Sequence, residues 1–244
     1  MSDIYVSASG AIARLHDLDV VANNLANVDT TGFRRDLTIF EVAVQTALRD
    51  VERETVPGSP GSAMTGISAS TSDYGSGPIT QTGKPLDVAI LGPGWFEVET
   101  PDGLRYTRAG AFAVDPEQRI VTPDGHPVLG AGGPLQAGAG IPELTASGDL
   151  VDSTGASLGR LKLVDFERID LLVKDGHNFY RALDGANPLD VEPQLAARSI
   201  ERSNVSAVSE MSRLVILQRA FDASMQILQQ QDRSTERLLR EIGS

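Results

Sequence analysis

The sequence predicts an α+β protein. N- and C-terminal α-helices pair as a coiled-coil-like core, and an antiparallel β-rich domain is inserted between them. Three observations lead there. Apolar residues recur at heptad spacing near both ends of the chain. Between the ends the periodicity changes from helical to strand-like, in short stretches separated by glycine-containing turns. No helical pattern interrupts those stretches, which argues for antiparallel pairing over βαβ units. With 244 residues, 41% of them hydrophobic and 22% charged, the chain can bury a sizeable core. Aromatics are only 5%, so that core rests on Val, Leu, Ile and Ala.

The elements follow in order. Ala8, Ala11, Leu15, Leu18, Ala22 and Leu25 trace a seam of small and medium apolar residues. The stretch VVANNLANVDTTGFRRD, residues 20–36, then crowds in Asn23, Asn24 and Asn27, poor residues for a helix interior. After Gly32, Phe33, Leu37, Phe40 and Val44 resume at roughly helical spacing, so residues 1–52 are expected to be an N-terminal helical core segment. Residues 53–83 are rich in Gly, Pro, Ser and Thr and are expected to be an extended crossover.

Residues 84–200 form the predicted β-rich outer domain. WFEVETPDGLRYTR alternates Phe96 and Val98 with Glu97 and Glu99, then turns at Pro101-Asp102-Gly103 and resumes at Leu104 and Tyr106, a hairpin pattern. A second hairpin is expected around Asp115–Gln118, and Thr-Pro-Asp-Gly occurs at both 100–103 and 122–125. Further short strands are expected at Leu144–Thr145, Leu150–Val151 and Leu158–Phe166. Residues 201–244 return to helix. Ser203-Asn204 offers an N-cap, and Ala207, Met211, Leu214, Gln218, Phe221, Met225 and Leu228 continue at heptad spacing.

Composition excludes several function classes. The chain has no cysteine, so disulfides and Cys-based metal sites or nucleophiles are ruled out. Its three histidines, His16, His126 and His177, have no metal-ligand spacing. Net charge is −12, with the acidity mostly in residues 53–200 and no basic patch, so nucleic-acid binding is disfavoured. The N-terminal residues lack the basic start of a signal peptide, and no apolar run is long enough to span a membrane.

The search for chemistry is mostly negative. Glu97/Glu99 and Asp165/Glu167 alternate along predicted strands and are expected on solvated faces. LGPGWFE and GAGAGIPE contain Gly-x-Gly but complete no dinucleotide or phosphate fingerprint, and no Gly-x-Ser-x-Gly elbow exists. DLVDSTG has the wrong spacing for a calcium loop. Asn204-Val205-Ser206 fits a glycosylation sequon but is better explained by capping. His126 sits in a turn, and Trp95 at a strand start is expected to be a core anchor. No catalytic residue, cofactor or metal is expected. The positive signals describe a protein that binds copies or relatives of itself.

Three segments carry a family resemblance. ANNLANVDTTGFRR, residues 22–35, resembles the N-terminal signature of bacterial flagellar axial proteins, the rod and hook subunits. Residues 83–130 resemble their shared β domain, and SNVSAVSEMSRLVILQRAFDASMQIL, residues 203–228, resembles their C-terminal segment. All three lie in the family's order. Within the family the length and opening are most similar to the proximal-rod subunit, with distal-rod and hook-type subunits as alternatives. The chain departs from the family pattern at Asp29, where Asn is common, at Arg34, where Lys is common, and at Ile216-Leu217.

The resemblance implies a structural subunit of the basal-body rod. It implies export by the flagellar type III apparatus without a cleaved signal, and polymerisation across the periplasm into a helical tube that transmits torque for motility. Expected partners are copies of the chain, other axial proteins and the export apparatus, with no nucleic acid and no membrane insertion. A peptidoglycan-acting enzyme and a coiled-coil adhesin or scaffold are competing possibilities. The candidate subunit-interface residues are Ala11, Leu15, Leu18, Ala22, Asn23, Leu25, Asn27, Gly32, Phe33, Met211, Leu214, Gln218, Phe221, Met225 and Leu228. Among them, Leu18, Ala22 and Leu25 are expected to pack on the chain's own C-terminal helix. Asn23 and Asn27, which share a face, are expected to hydrogen-bond to adjacent subunits or a neighbouring loop, and Gly32 lets the chain turn outward.

Overall fold

The computed structural model describes residues 2–44, 63–138 and 140–242. They form two compact units. The first holds the described residues of Met1–Ala26, Arg35–Asp73 and Ser206–Ser244, and the second holds those of Asn27–Arg34 and Tyr74–Val205.

In the first unit, helix α1 (Ser2–Ala26) and helix α2 (Ala207–Ile242) pack against each other. α1 also packs on a two-stranded antiparallel ribbon of β1 (Asp36–Val44) and β2 (Ala63–Ser72). The ribbon runs from the pair Asp36↔Ser72 to Val44↔Ala63, with a register shift between Ile39 and Phe40. This corrects the expectation of a resumed helix after Gly32. Thr38, Ile39, Val42 and Val44 are β-branched, lose rotamer freedom in a helix and fit a pleated strand. β2 falls in the segment expected to be a crossover, and residues 45–62 lie outside the described residues. α2 starts at Ala207, three residues beyond the expected Ser203-Asn204 cap. Ser203 Oγ instead accepts from Val205 N at 3.2 Å, and Asn204 Nδ2 donates to Gly75 O at 2.9 Å.

The second unit is built on short antiparallel strands, as the turn spacing predicted. Its early strands are β3 (Ile79–Gln81), β4 (Val88–Ile90), β5 (Trp95–Thr100) and β6 (Gly103–Thr107). β5 and β6 form the expected hairpin, with Thr100 opposite Gly103 across Pro101-Asp102. They sit at the centre of a six-stranded sheet in the order 172–174, 180–182, β6, β5, 163–166, 188–191. The second expected hairpin also forms, pairing Ala113 with Val121 and Val114 with Ile120. Both Thr-Pro-Asp-Gly segments are turns whose final glycine has positive φ, +105° at Gly103 and +84° at Gly125.

Both faces of the β5 strand are covered. Phe96 and Val98 join Val88, Ile90, Ile120 and Leu163 in one apolar cluster, where Phe96 meets Phe112 edge-on at 5.1 Å. Trp95 joins Tyr106, Val164, Phe166 and Tyr180 in the other, with the Trp95 and Tyr180 rings 4.7 Å apart. Trp95 is therefore the core anchor the sequence suggested. The expectation of solvated carboxylates holds for Glu99 and fails for Glu97, which is buried. Register explains it: Glu97 stands opposite Tyr106, on a covered face. The Lys162 ammonium, 2.9 Å away, supplies the counter-charge. Glu97 in turn holds the Lys162 amine above its usual range by hydrogen bonding. Leu104, expected on the apolar side, is exposed.

Phe96→Ala leaves a cavity between two packed layers. It is expected to destabilise the second unit by about 3–5 kcal/mol, read from Trp95 fluorescence in urea. Leu104→Ala should change the same transition by less than about 0.5 kcal/mol.

Candidate assembly surface

The asparagine-rich stretch divides its work between the two units. Within the first, Asn24 is fully buried and its amide acts as a short strand partner for Asp36. Asn24 Nδ2 donates to Asp36 O at 2.9 Å, and Asp36 N donates to Asn24 Oδ1 at 2.8 Å. Both backbone groups at the start of β1 are thereby satisfied where a strand neighbour would otherwise be needed. The Asp36 carboxylate accepts from Asn23 Nδ2 and from Ser72 Oγ, each at 3.2 Å. Sequence reasoning passed over Asn24 in favour of its neighbours, because only Asn23 and Asn27 share a helical face.

Within the second unit, Asn27 accepts from Thr30 Oγ1 at 3.1 Å while Thr30 N donates to Asn27 O, which closes the turn after α1. Gly32 follows with φ +68°, and a Cβ there would collide with the backbone of Arg108. Gly32 therefore stands at a left-handed backbone position with no room for a side chain. Phe33 is buried beneath the Lys174 ammonium, 3.9 Å from the ring centre. Asn23 and Asn27 thus both have partners inside this chain. Hydrogen bonds to neighbouring subunits are not needed to explain their presence.

The helices bury polar groups beside apolar ones and leave further apolar groups outside. In α1 the buried positions are Ala13, Asp17, Val20, Val21 and Asn24. Leu15 and Ala22 are exposed, and Leu18 and Leu25 are half-buried, so the deepest line lies two residues away from the expected seam. Asp17 pairs with Arg213 of α2 at 3.4 Å, and Arg14 donates to Ser224 Oγ and Ala220 O. In α2, Glu210 and Ser224 are buried, Leu214 and Phe221 are half-buried, and Met211, Gln218 and Met225 are exposed. The side chains of Ala11 and Leu228 lie outside the described residues. Exposed as well are Ile12 and Leu15 on α1, and Val208, Val215, Ile216 and Ile227 on α2, with Val208 76% and Ile216 66% accessible.

Two ionic clusters flank the step from Arg34 to Arg35. In the first unit the Arg35 guanidinium lies 3.1 Å from Asp73 and 3.8 Å from the buried Glu210. In the second, Arg34 Nη1 lies 2.6 Å from Glu201 Oε1, with both side chains 1% accessible, and Arg108 Nη1 lies 3.6 Å from Glu201 Oε2. Burial, opposed by Glu201 and aided by neighbouring Arg34, lowers the Arg108 guanidinium to about 10.

Of the acidic pairs weighed in the sequence, Glu97 is buried and paired with Lys162, while Glu99 and Glu167 are exposed. A cleft of about 550 Å³ in the second unit contains Glu97, Lys162, Asp190, Arg160 and Glu192. Its carboxylates pair with its cations: Lys162 with Glu97 and Asp190, Arg160 with Glu192. Among the described residues no group of three or more His, Asp or Glu is placed to hold a metal ion. No described helix is long and apolar enough to cross a membrane.

Three family profiles match this chain. They are a flagellar basal body rod protein profile over residues 4–34, the flagellar hook protein FlgE/F/G D1 domain over 89–171, and the flagellar basal body rod FlgEFG protein C-terminal profile over 196–241. The chain is 35% identical to the flagellar basal-body rod protein FlgF of Caulobacter vibrioides over 90% of its own length and 89% of the relative's. Against FlgF of Escherichia coli the identity is 34%, over 94% and 93%. Against FlgG of Bacillus subtilis it is 29%, over 98% of each. The chain belongs to the flagellar basal-body rod protein family and is a structural subunit of the flagellar rod, located in the basal body.

Asn24→Ala strips both partners from the Asp36 backbone and is expected to cost about 1–3 kcal/mol. The loss should show as faster hydrogen exchange at the Asp36 amide. Asn23→Ala, which removes one exposed hydrogen bond, should leave that amide nearly as protected as before.

Proposed function

We propose that this rod subunit polymerises with copies of itself and with neighbouring axial proteins into a helical tube that transmits torque across the periplasm. The helices of its first unit line the tube core in coiled-coil-like contact, and the acidic β unit forms the outer layer. The observation that carries this reading is the apolar surface left on both helices. Val208, Met211, Val215 and Ile216 follow one another within the first turns of α2, and all are exposed. Burying one side chain of this size is worth roughly 1.5–3 kcal/mol, and contiguous exposed apolar surface marks a protein contact.

Of the residues expected at interfaces, Leu15, Ala22, Met211, Gln218 and Met225 lie open to a neighbour, and Leu18, Leu25, Leu214 and Phe221 are half-open. Asn23 and Asn27 have capacity for further hydrogen bonds, because an amide offers two donors and a carbonyl oxygen. The subunit reaches the rod through the flagellar export apparatus.

The test places a charge on each helix's exposed face. Leu15→Asp with Met211→Asp should leave Trp95 fluorescence of the isolated chain unchanged, since both sites are already solvated. In cells carrying only this variant, rod formation and swimming should be lost, because an unpaired charge buried at a contact costs several kcal/mol. Normal rods and normal swimming would overturn the assignment.

A further inference from the structure

Three passages of chain, far apart in sequence, meet at one carboxylate in the second unit. Glu201 Oε1 accepts from Arg34 Nη1 at 2.6 Å and from Gly77 N at 2.9 Å. Its backbone oxygen accepts from Gly32 N at 2.8 Å. Arg108, the other cation at Glu201, donates to Gly92 O at 2.9 Å and lies over the Trp95 ring at 5.4 Å. The passages are zipped on either side. Asn204 N donates to Phe33 O and Arg202 N to Pro78 O, Arg202 pairs with Asp29, and Ser199–Glu201 pairs with β3. A Cβ at Gly77 would collide with the Arg202 backbone, so these passages are in direct contact.

We infer that Glu201 is a folding latch: the β unit completes only when the chain before its first strand and its last strand, Ser199–Glu201, are both in place. The charge balance makes the dependence strong. Arg34 and Arg108 are both buried in the folded unit, and Arg34 Nε and Nη2 and Arg108 Nε have no hydrogen-bond acceptor among the described residues. Without Glu201 the two guanidiniums lose the carboxylate that lies between them, leaving Arg108 only the weaker pull of Asp165, and each opposes burial of the other. Residue 201 comes after nearly all of the unit's strands. The strands between Tyr74 and Ser199 therefore stay incomplete until the chain has been made and released that far. The latch lies wholly in the second unit and acts before any assembly step.

Refolding of the full wild-type chain, followed by pulse-labelled hydrogen exchange, tests this. The amides of β5 and β6 should gain lasting protection in the same kinetic phase as Gly32, Gly77 and Asn204. Protection of β5 and β6 roughly tenfold faster than those three would overturn the latch. Equilibrium exchange in Glu201→Ala supplies a second readout, with an expected loss of about a hundredfold in protection at β5–β6 and at Gly32 alike. A loss confined to Gly32 and Gly77, with the Trp95 unfolding transition unmoved, would make Glu201 a local hydrogen-bond partner and overturn the proposal.

Discussion

A buried carboxylate fixes the terms for the second unit. Glu201 is almost inaccessible, and a charge in that position is tolerable only with cations and donors held against it. That requirement draws in Arg34 from the segment before the first strand of the unit, Arg108 from the end of β6 and the Gly77 amide from the entry to β3. The glycines are a consequence. Gly32 and Gly77 sit where backbone meets backbone, so no side chain fits between the passages the charges hold together. Arg108 also reaches the Trp95 ring, so the ionic cluster and the aromatic cluster are one packed region.

The first unit follows a different logic. An isolated helical pair ordinarily buries its apolar stripe and exposes its polar face. Here Asp17, Asn24, Glu210 and Ser224 are inside, each beside a named polar or charged group, and Ile12, Leu15, Val208 and Ile216 are outside. Polar pairs such as Asp17 with Arg213 give register and little net stability. Apolar surface facing water gives stability only once something covers it. A rod subunit has neighbours that can do so.

The sequence spoke most clearly where structure is local. The β5–β6 hairpin was legible because its alternation and its Pro-Asp-Gly turn lie within a dozen residues, and the terminal helices because heptad spacing persists over many turns. The inner face of those helices was not legible. Hydrophobic spacing marks only apolar positions, and the deepest positions in α1 include an aspartate and an asparagine. β1 was missed because Phe33, Leu37, Phe40 and Val44 match a helical period by chance, while the β-branched residues among them carried the strand preference. The burial of Glu97 depended on Lys162, and the Arg34–Glu201 pair spans 167 positions. No window along the chain sees either. The local signal at Arg34 is its departure from the family pattern, where Lys is common.

The two Thr-Pro-Asp-Gly turns have a practical side. Pro101, Asp102, Pro123 and Asp124 are all exposed, and each turn joins residues already tied by backbone hydrogen bonds. Enlarging a loop whose ends are so fixed adds only about 0.6 kcal/mol per doubling of its length. A short epitope or dye-binding peptide can therefore be carried at either tip without touching the packed layers. If every copy in a rod bore such a tag, the spacing of the tags would report the geometry of the filament directly.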